Sequence, residues 1–263
     1  MAYIPHPDRR PVLVAGASSG IGAATAERLA GAGYPVALAA RRVEKLQELA
    51  DRINEAGGEA VAVPLDVTDQ QSVTAAVAQA EAALGPLEIV VAGAGDLRVG
   101  LGHEMPVDDW ADQINIHLVG AYRVYRAVIE GMISRTRGDF VFIGSDVAAH
   151  PRPWSSAYVA AKSGVDGLVA TVQLELEGTG VRVGIVRPGQ TLTGMGMDMD
   201  PEVGEKMLND WIKFGLARHG NFMEPEHLAI AIETMVTMPR GAHMREVEVE
   251  AEGAIPKSKR TDI

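Results

Sequence analysis

The 263-residue chain contains no cysteine, which excludes disulfides, thiolate catalysis and cysteine metal sites and fits a cytoplasmic protein. It also lacks an excess of positive charge. Its 35 acidic residues outnumber 24 Lys plus Arg, for a net charge of -11. A broad nucleic-acid or acidic-membrane surface is therefore not expected. No stretch reaches the roughly 18 continuous apolar residues of a membrane helix. The start, Met1 to Arg10, has no apolar run and reads as a flexible arm rather than a signal peptide. The seven histidines show no metal-ligand spacing, so no metal site is expected.

What the chain does have is an ordinary hydrophobic content of 47%, enough length for one large core, and a regular rhythm. Short apolar runs recur at Val12–Ala15, Val36–Ala39, Ala60–Val63, Leu87–Val91, Phe140–Ile143, Val181–Val186 and Glu246–Val249. Stretches with helical spacing lie between them, at Ala23–Ala32, Val43–Ala56, Gln71–Leu84 and Trp110–Ser134. Such alternation predicts a parallel sheet covered on both faces. No repeat or low-complexity linker divides the chain, so residues 11–255 read as one domain and 256–263 as a tail. One segment breaks the rhythm. Residues 193–224 carry no strand signal and are rich in Met, with Trp211 and Phe214, which predicts a lid over a binding site.

Gly16-Ala17-Ser18-Ser19-Gly20-Ile21-Gly22 closes the first strand and opens the first helix. Glycines at this junction let the backbone approach a pyrophosphate, and the helix start offers unpaired N–H groups. The second strand runs into Arg41-Arg42, where an acid would bind ribose hydroxyls. A guanidinium matches a 2′-phosphate instead, so NADP(H) is favoured over NAD(H). Asp66-Val67 follows the third strand, where Asp66 meets the adenine edge or caps the next helix.

Tyr158 and Lys162 lie four residues apart, on one face of a helix. A nearby ammonium lowers a phenol's pKa and suits it to proton transfer. By itself the pair is a weak signal.

Together, Val14-Ala15-Gly16-Ala17-Ser18-Ser19-Gly20-Ile21-Gly22, Leu65-Asp66-Val67, Ala92-Gly93-Ala94-Gly95, Ser145, Tyr158-x-x-x-Lys162 and Pro188-Gly189-x-x-x-Thr193 resemble the short-chain dehydrogenases/reductases, single-domain type, over Val12 to Glu250. The resemblance implies a three-layer doubly wound Rossmann fold with a seven-stranded parallel sheet. It also implies Tyr158 as general acid/base, Lys162 lowering its pKa and holding the nicotinamide ribose, and Ser145 on the substrate oxygen. Ala92, Gly93 and Ala94 would flank the cofactor, and Pro188, Gly189, Thr191 and Thr193 would line its nicotinamide side. A homotetramer or homodimer is implied, paired through Trp110–Ser134 and Ser156–Glu177.

Two departures from the family stand out. Counting from Trp110, the family's relay asparagine falls on His117, which is expected to take over the relay and to titrate near neutral pH. Asn115 is its rival. Ala92 and Gly93 stand where the family has two asparagines, and Gly93 still permits close approach of the backbone to the cofactor. These readings predict an NADP(H)-dependent oxidoreductase interconverting a ketone or aldehyde and an alcohol. The rival is a catalytically silent dinucleotide-binding regulatory or structural subunit. The substrate pocket is expected from Asp146, Val147, His150, Trp154, the loop Asp96–His103 and Met195 of the lid, and its walls favour a moderately apolar ketone or secondary alcohol. Arg98, Arg152 and His150 are candidate carboxylate binders.

Overall fold

The computed structural model describes residues 8–196 and 199–253. All seven apolar runs become strands: β1 (Val12–Ala15), β2 (Val36–Ala40), β3 (Ala60–Pro64), β4 (Ile89–Ala92), β5 (Gly138–Ile143), β6 (Val181–Pro188) and β7 (Glu246–Val249). They form one parallel sheet in the order β3-β2-β1-β4-β5-β6-β7. Every residue of β1, β2 and β4 is buried, as a strand covered on both faces must be. Edge strand β7 alternates exposed and half-buried residues.

The period-2 alternation of β1 sorts the two cores. Val12 and Val14 meet α1 (Gly20–Gly31), α2 (Val43–Glu55) and α8 (Pro225–Thr237). Leu13 and Ala15 meet α3 (Gln70–Leu84), α5 (Gly120–Ser134) and α6 (Ser156–Glu175). Chain order reverses between β1 and β4, and in such sheets the crevice beyond the strand ends at that point is the binding site.

The structure adds a break to the helix expected over Trp110–Ser134. It runs as α4 (Val107–Ile114), one π-helical turn over Asn115–Val119, and then α5. The wider turn carries His117, and single π turns often sit at functional sites.

The last residue of the expected N-terminal arm is anchored. Arg10 is buried, pairs with Glu88 at 3.2 Å and with Asp139, and donates to the Val236 carbonyl at 2.9 Å. Buried Asp139 at the start of β5 and half-buried Glu88 just before β4 pull the chain in. Residues 1–7 of the arm, Met197 of the lid and the 256–263 tail lie outside the described residues. Among its described residues the lid segment holds one helix, α7 (Pro201–Lys213), and an isolated bridge joins Met223 at its end to Thr191 just before it.

Candidate active site

The crevice is floored by the turn after β1. Gly16 has φ +89°, and a Cβ there would stand 2.6 Å from the Gly93 carbonyl oxygen. A Cβ on Gly22 would stand 2.3 Å from the Gly16 carbonyl oxygen. Only glycine allows this packing of turn on helix. Ser18, Ser19 and Ile21 complete the turn, and Thr193 faces it: a Cβ on Gly20 would lie 3.1 Å from the Thr193 side chain. Ala92 pairs with Ala15 in the sheet, and the Gly93 amide bonds the Ala15 carbonyl at 3.0 Å. Backbone pairing thus holds the loop at Ala92 and Gly93, where the amides are missing, and Ala94 follows. Pro188 ends β6, and Thr191 Oγ1 donates to the Gly189 carbonyl at 3.0 Å.

Of the two arginines, Arg42 folds onto the glycine turn. Its Nη2 donates to Ser18 Oγ at 2.8 Å and Ser19 Oγ at 2.7 Å. Arg41 is exposed and lies where its charge acts on Asp66. Asp66 is no helix cap: it accepts from the Thr68 amide and hydroxyl, which hold its carboxyl below the usual range, and Asp69 caps α3. Val67 is buried, and the Cβ of an alanine at Gly120 would stand 2.8 Å from its Cγ2.

At the end of β5, Ser145 opens a 3-10 turn (Asp146–Ala148). Its hydroxyl donates to Asp146 Oδ1 at 3.2 Å and lies within hydrogen-bonding reach of Tyr158. Lys162, one helical turn beyond Tyr158 on α6, donates from Nζ to the Ile143 carbonyl at 2.7 Å and stands 5.5 Å from the Tyr158 ring centre.

The expected lowering of the phenol by Lys162 is not what this arrangement gives. Burial pushes Tyr158 up to about 12, against the downward pull of Ser145 and Arg152. Burial also pushes Lys162 down to about 8, opposed by Asp166. Desolvation sets the direction of both shifts, and the ammonium is turned to a peptide carbonyl.

His117 departs from expectation too. Its ring stands edge-on to Tyr158, centroids 5.0 Å apart, and is buried. Nε2 lies 2.5 Å from the Asp96 carbonyl oxygen and 3.3 Å from the Asp96 amide nitrogen, and the closer contact is a hydrogen bond when Nε2 carries the proton. Nδ1 is then a buried acceptor with no hydrogen-bond partner among the described residues. Burial first, then the Lys162 charge, pushes its pKa down to about 3, so it is neutral where it was expected to titrate. Asn115, the rival, instead accepts from Arg123 at 2.9 Å. Gly95 makes room for the larger ring, since a Cβ there would lie 2.7 Å from His117 Cε1.

This gives a stability test. A group whose folded pKa lies below its unfolded value stabilises above the unfolded value, and that contribution is lost as pH falls. For His117 the loss runs from pH 6.5 toward 3. Between pH 7 and 5 the wild type should lose about 2 kcal/mol more than His117→Asn. Denaturant melts at the two pH values check this, and parallel losses would remove the buried neutral imidazole.

Of the expected substrate residues, Met195 reaches the site: its methyl would lie 3.2 Å from a Cβ on Gly95. Val147 is buried in the wall. Asp146 is buried and committed to Arg152, which bonds both its oxygens. Arg98 is ringed by Asp96, Asp109 and Asp112, and His150 is exposed. Neither arginine offers an uncompensated charge to a carboxylate.

Sequence reasoning missed how the lid is fastened. Trp154 Nε1 donates to Asp210 at 2.8 Å, Trp211 Nε1 donates to the Pro153 carbonyl at 3.0 Å, and the Arg152 guanidinium lies over the Trp211 ring at 5.4 Å. These partners sit more than 50 positions apart, and no local spacing marks them.

The chain's fold and sequence are shared with known proteins. Over 239 residues, 90% of this chain, it is 34% identical to the glycine betaine reductase ATRR of Emericella nidulans, of whose length it spans only 18%. Among solved structures, it resembles the actinorhodin polyketide ketoreductase carrying a Phe-to-Trp substitution, with NADPH, at TM-score 0.84 and 28% identity, covering 94% of this chain and 98% of that one. It also resembles an alcohol dehydrogenase from the archaeon Thermococcus sibiricus complexed with 5-hydroxy-NADP, at TM-score 0.81 and 27% identity, covering 95% and 100%. The short chain dehydrogenase family model matches residues 10–204, and with the parallel sheet, the glycine turn and the Ser145-Tyr158-Lys162 cluster this places the chain in the short-chain dehydrogenase/reductase family of oxidoreductases.

Proposed function

We propose that the protein interconverts a ketone or aldehyde and an alcohol with NADP(H) as hydride carrier. The observation that carries this reading is the convergence of Ser145, Tyr158 and Lys162 beside a glycine turn too tight for any Cβ. That cradle, with Arg42 across its hydroxyls, fits a phosphorylated dinucleotide. NADP(H), when bound, supplies the hydride chemistry.

The chain's own residues do the rest. The Ser145 hydroxyl orients the substrate oxygen, and Tyr158 delivers a proton to it on reduction and takes one on oxidation. Held up to about 12, the phenol is protonated at neutral pH and so is loaded for reduction. Lys162 holds the ribose, with Asp66, Val67, Gly93, Gly189 and Thr193 along the crevice. His117 supports Tyr158 and the Asp96 loop as a neutral ring. With both nearby arginines neutralised, the site suits a moderately apolar ketone or secondary alcohol. Exposed Trp110, Tyr122 and Leu174 support pairing of subunits through α4 to α6, in a homodimer or homotetramer.

The test is consumption of NADPH and NADH with a panel of ketones and aldehydes, alongside cofactor binding. Turnover with NADPH supports the reading. Binding without turnover across the panel would favour the silent regulatory subunit. In the same assay Arg42→Ala should weaken NADPH binding about 10- to 100-fold, from the loss of a charged hydrogen bond to phosphate, and leave NADH binding nearly unchanged. Equal losses for both cofactors would remove Arg42 from the 2′-phosphate.

A further inference from the structure

Three surfaces around the substrate side of the cleft meet at Trp154. This non-glycine residue is held at φ +71°, a conformation that persists only where its surroundings impose it. Its carbonyl accepts from the Gly100 amide at 2.9 Å, tying the loop after β4 to the loop after β5. Its indole N–H donates to Asp210 on α7 at 2.8 Å. Next to it, Trp211 of α7 returns a bond to the Pro153 carbonyl at 3.0 Å. Two adjacent residues of the lid helix thus clasp two adjacent residues of the loop, in opposite directions.

The clasp reaches Ser145 through one more side chain. Arg152 lies over the Trp211 ring on one side and bonds both oxygens of Asp146 on the other. Asp146 is also the acceptor of the Ser145 hydroxyl, at 3.2 Å. The distances rank these bonds. Arg152 Nη2 is in close contact with Oδ2, while the Ser145 hydroxyl holds Oδ1 only loosely. The carboxylate's charge is therefore engaged by Arg152, and the serine proton is weakly held.

We propose that Arg152 and Trp211 are positioning residues by which the seated lid keeps the Ser145 proton available to the substrate oxygen. With α7 down, the Trp211 ring holds Arg152 against Asp146, and Ser145 donates to substrate. With α7 lifted, Arg152 loses its platform, and the buried carboxylate takes the Ser145 hydroxyl as its nearest remaining donor. No proton changes owner; the hydroxyl only changes the acceptor to which it points. The effect on turnover rests on the carbonyl-reductase reading above, whereas the fastening of the lid does not.

The experiment has two arms. In the first, amide hydrogen exchange over 201–213 is compared in the wild type and Trp211→Phe, which keeps an aromatic ring and removes the indole donor. Exchange at least about fivefold faster in the variant is expected, since local opening follows lost contacts. Unchanged exchange overturns the clasp.

In the second arm, NADPH-dependent turnover is compared in Arg152→Gln and Arg152→Gln/Asp146→Asn. Freed of Arg152, the carboxylate should capture Ser145 and lower kcat about 10- to 100-fold, the scale of one charge-assisted hydrogen bond. Removing the carboxylate's charge should restore at least about fivefold of that loss, although the double variant is further from the native sequence. A purely structural role for Arg152 predicts no such rescue, and its absence overturns the proposal. If Arg152→Gln does not fold, the same comparison is made in Trp211→Phe with and without Asp146→Asn. A wild type inactive toward every carbonyl sinks the functional reading and, with it, the Ser145 half of the proposal; the exchange arm then decides the clasp.

Discussion

Tyr158→Phe should lower turnover by at least about 10²- to 10⁴-fold, the range that a positioned proton donor supplies. The substitution removes one oxygen and keeps the ring. That ring meets the edge of His117 at 5.0 Å and lies 5.5 Å from Lys162 Nζ, contacts that do not involve the hydroxyl. NADPH affinity should stay within about tenfold, since one hydrogen bond is the most the phenol can lose. Steady-state kinetics with a cofactor-binding titration check this. A variant that retains near-normal turnover would take Tyr158 out of the chemistry, whatever its position.

The second large effect is at Lys162. Lys162→Met should lower turnover roughly 10- to 100-fold at neutral pH by removing the ribose anchor and the site's ammonium. The same change should alter how stability depends on pH. The Lys162 pKa falls from 10.5 to about 8 in the folded protein. Stability is then complete above pH 10.5, is lost as pH falls toward 8, and the cost is paid in full at pH 7. The variant has no such slope. Its stability relative to the wild type should therefore be greater at pH 7 than at pH 10.5, by about 3 kcal/mol at most. Denaturant melts across that range would show the narrowing, and a constant difference would mean that the ammonium is better solvated than its burial implies.

The fold was legible because its strongest signals are local. Val12–Ala15 and Val36–Ala40 read as fully apolar because helices cover both of their faces, and Glu246–Val249 reads as alternating because it is the edge. The glycine turn was legible for the same reason, since φ and crowding at Gly16 and Gly22 are set within one turn of chain. What escaped depends on distant partners. Arg10 reads as part of a flexible arm until Asp139 of β5, 129 positions away, is found bonding it. Asp146 reads as a substrate contact until Arg152 is seen bonding both its oxygens. The protonation behaviour of Tyr158, Lys162 and His117 escaped for a different reason. Sequence spacing shows which groups are neighbours, but burial sets the sign of all three shifts.

The π turn over Asn115–Val119 bears on chain length as well as side-chain identity. It fits one residue more into a turn than an α-helix does, and each helical residue turns the following face by about 100°. Deleting a single residue there and closing the turn to α geometry would swing His117 relative to Tyr158, or Gly120 relative to Val67, off the neighbours they now touch. Between Trp110 and Gly120 the chain should accept many exchanges of one side chain for another and almost no change in the number of residues.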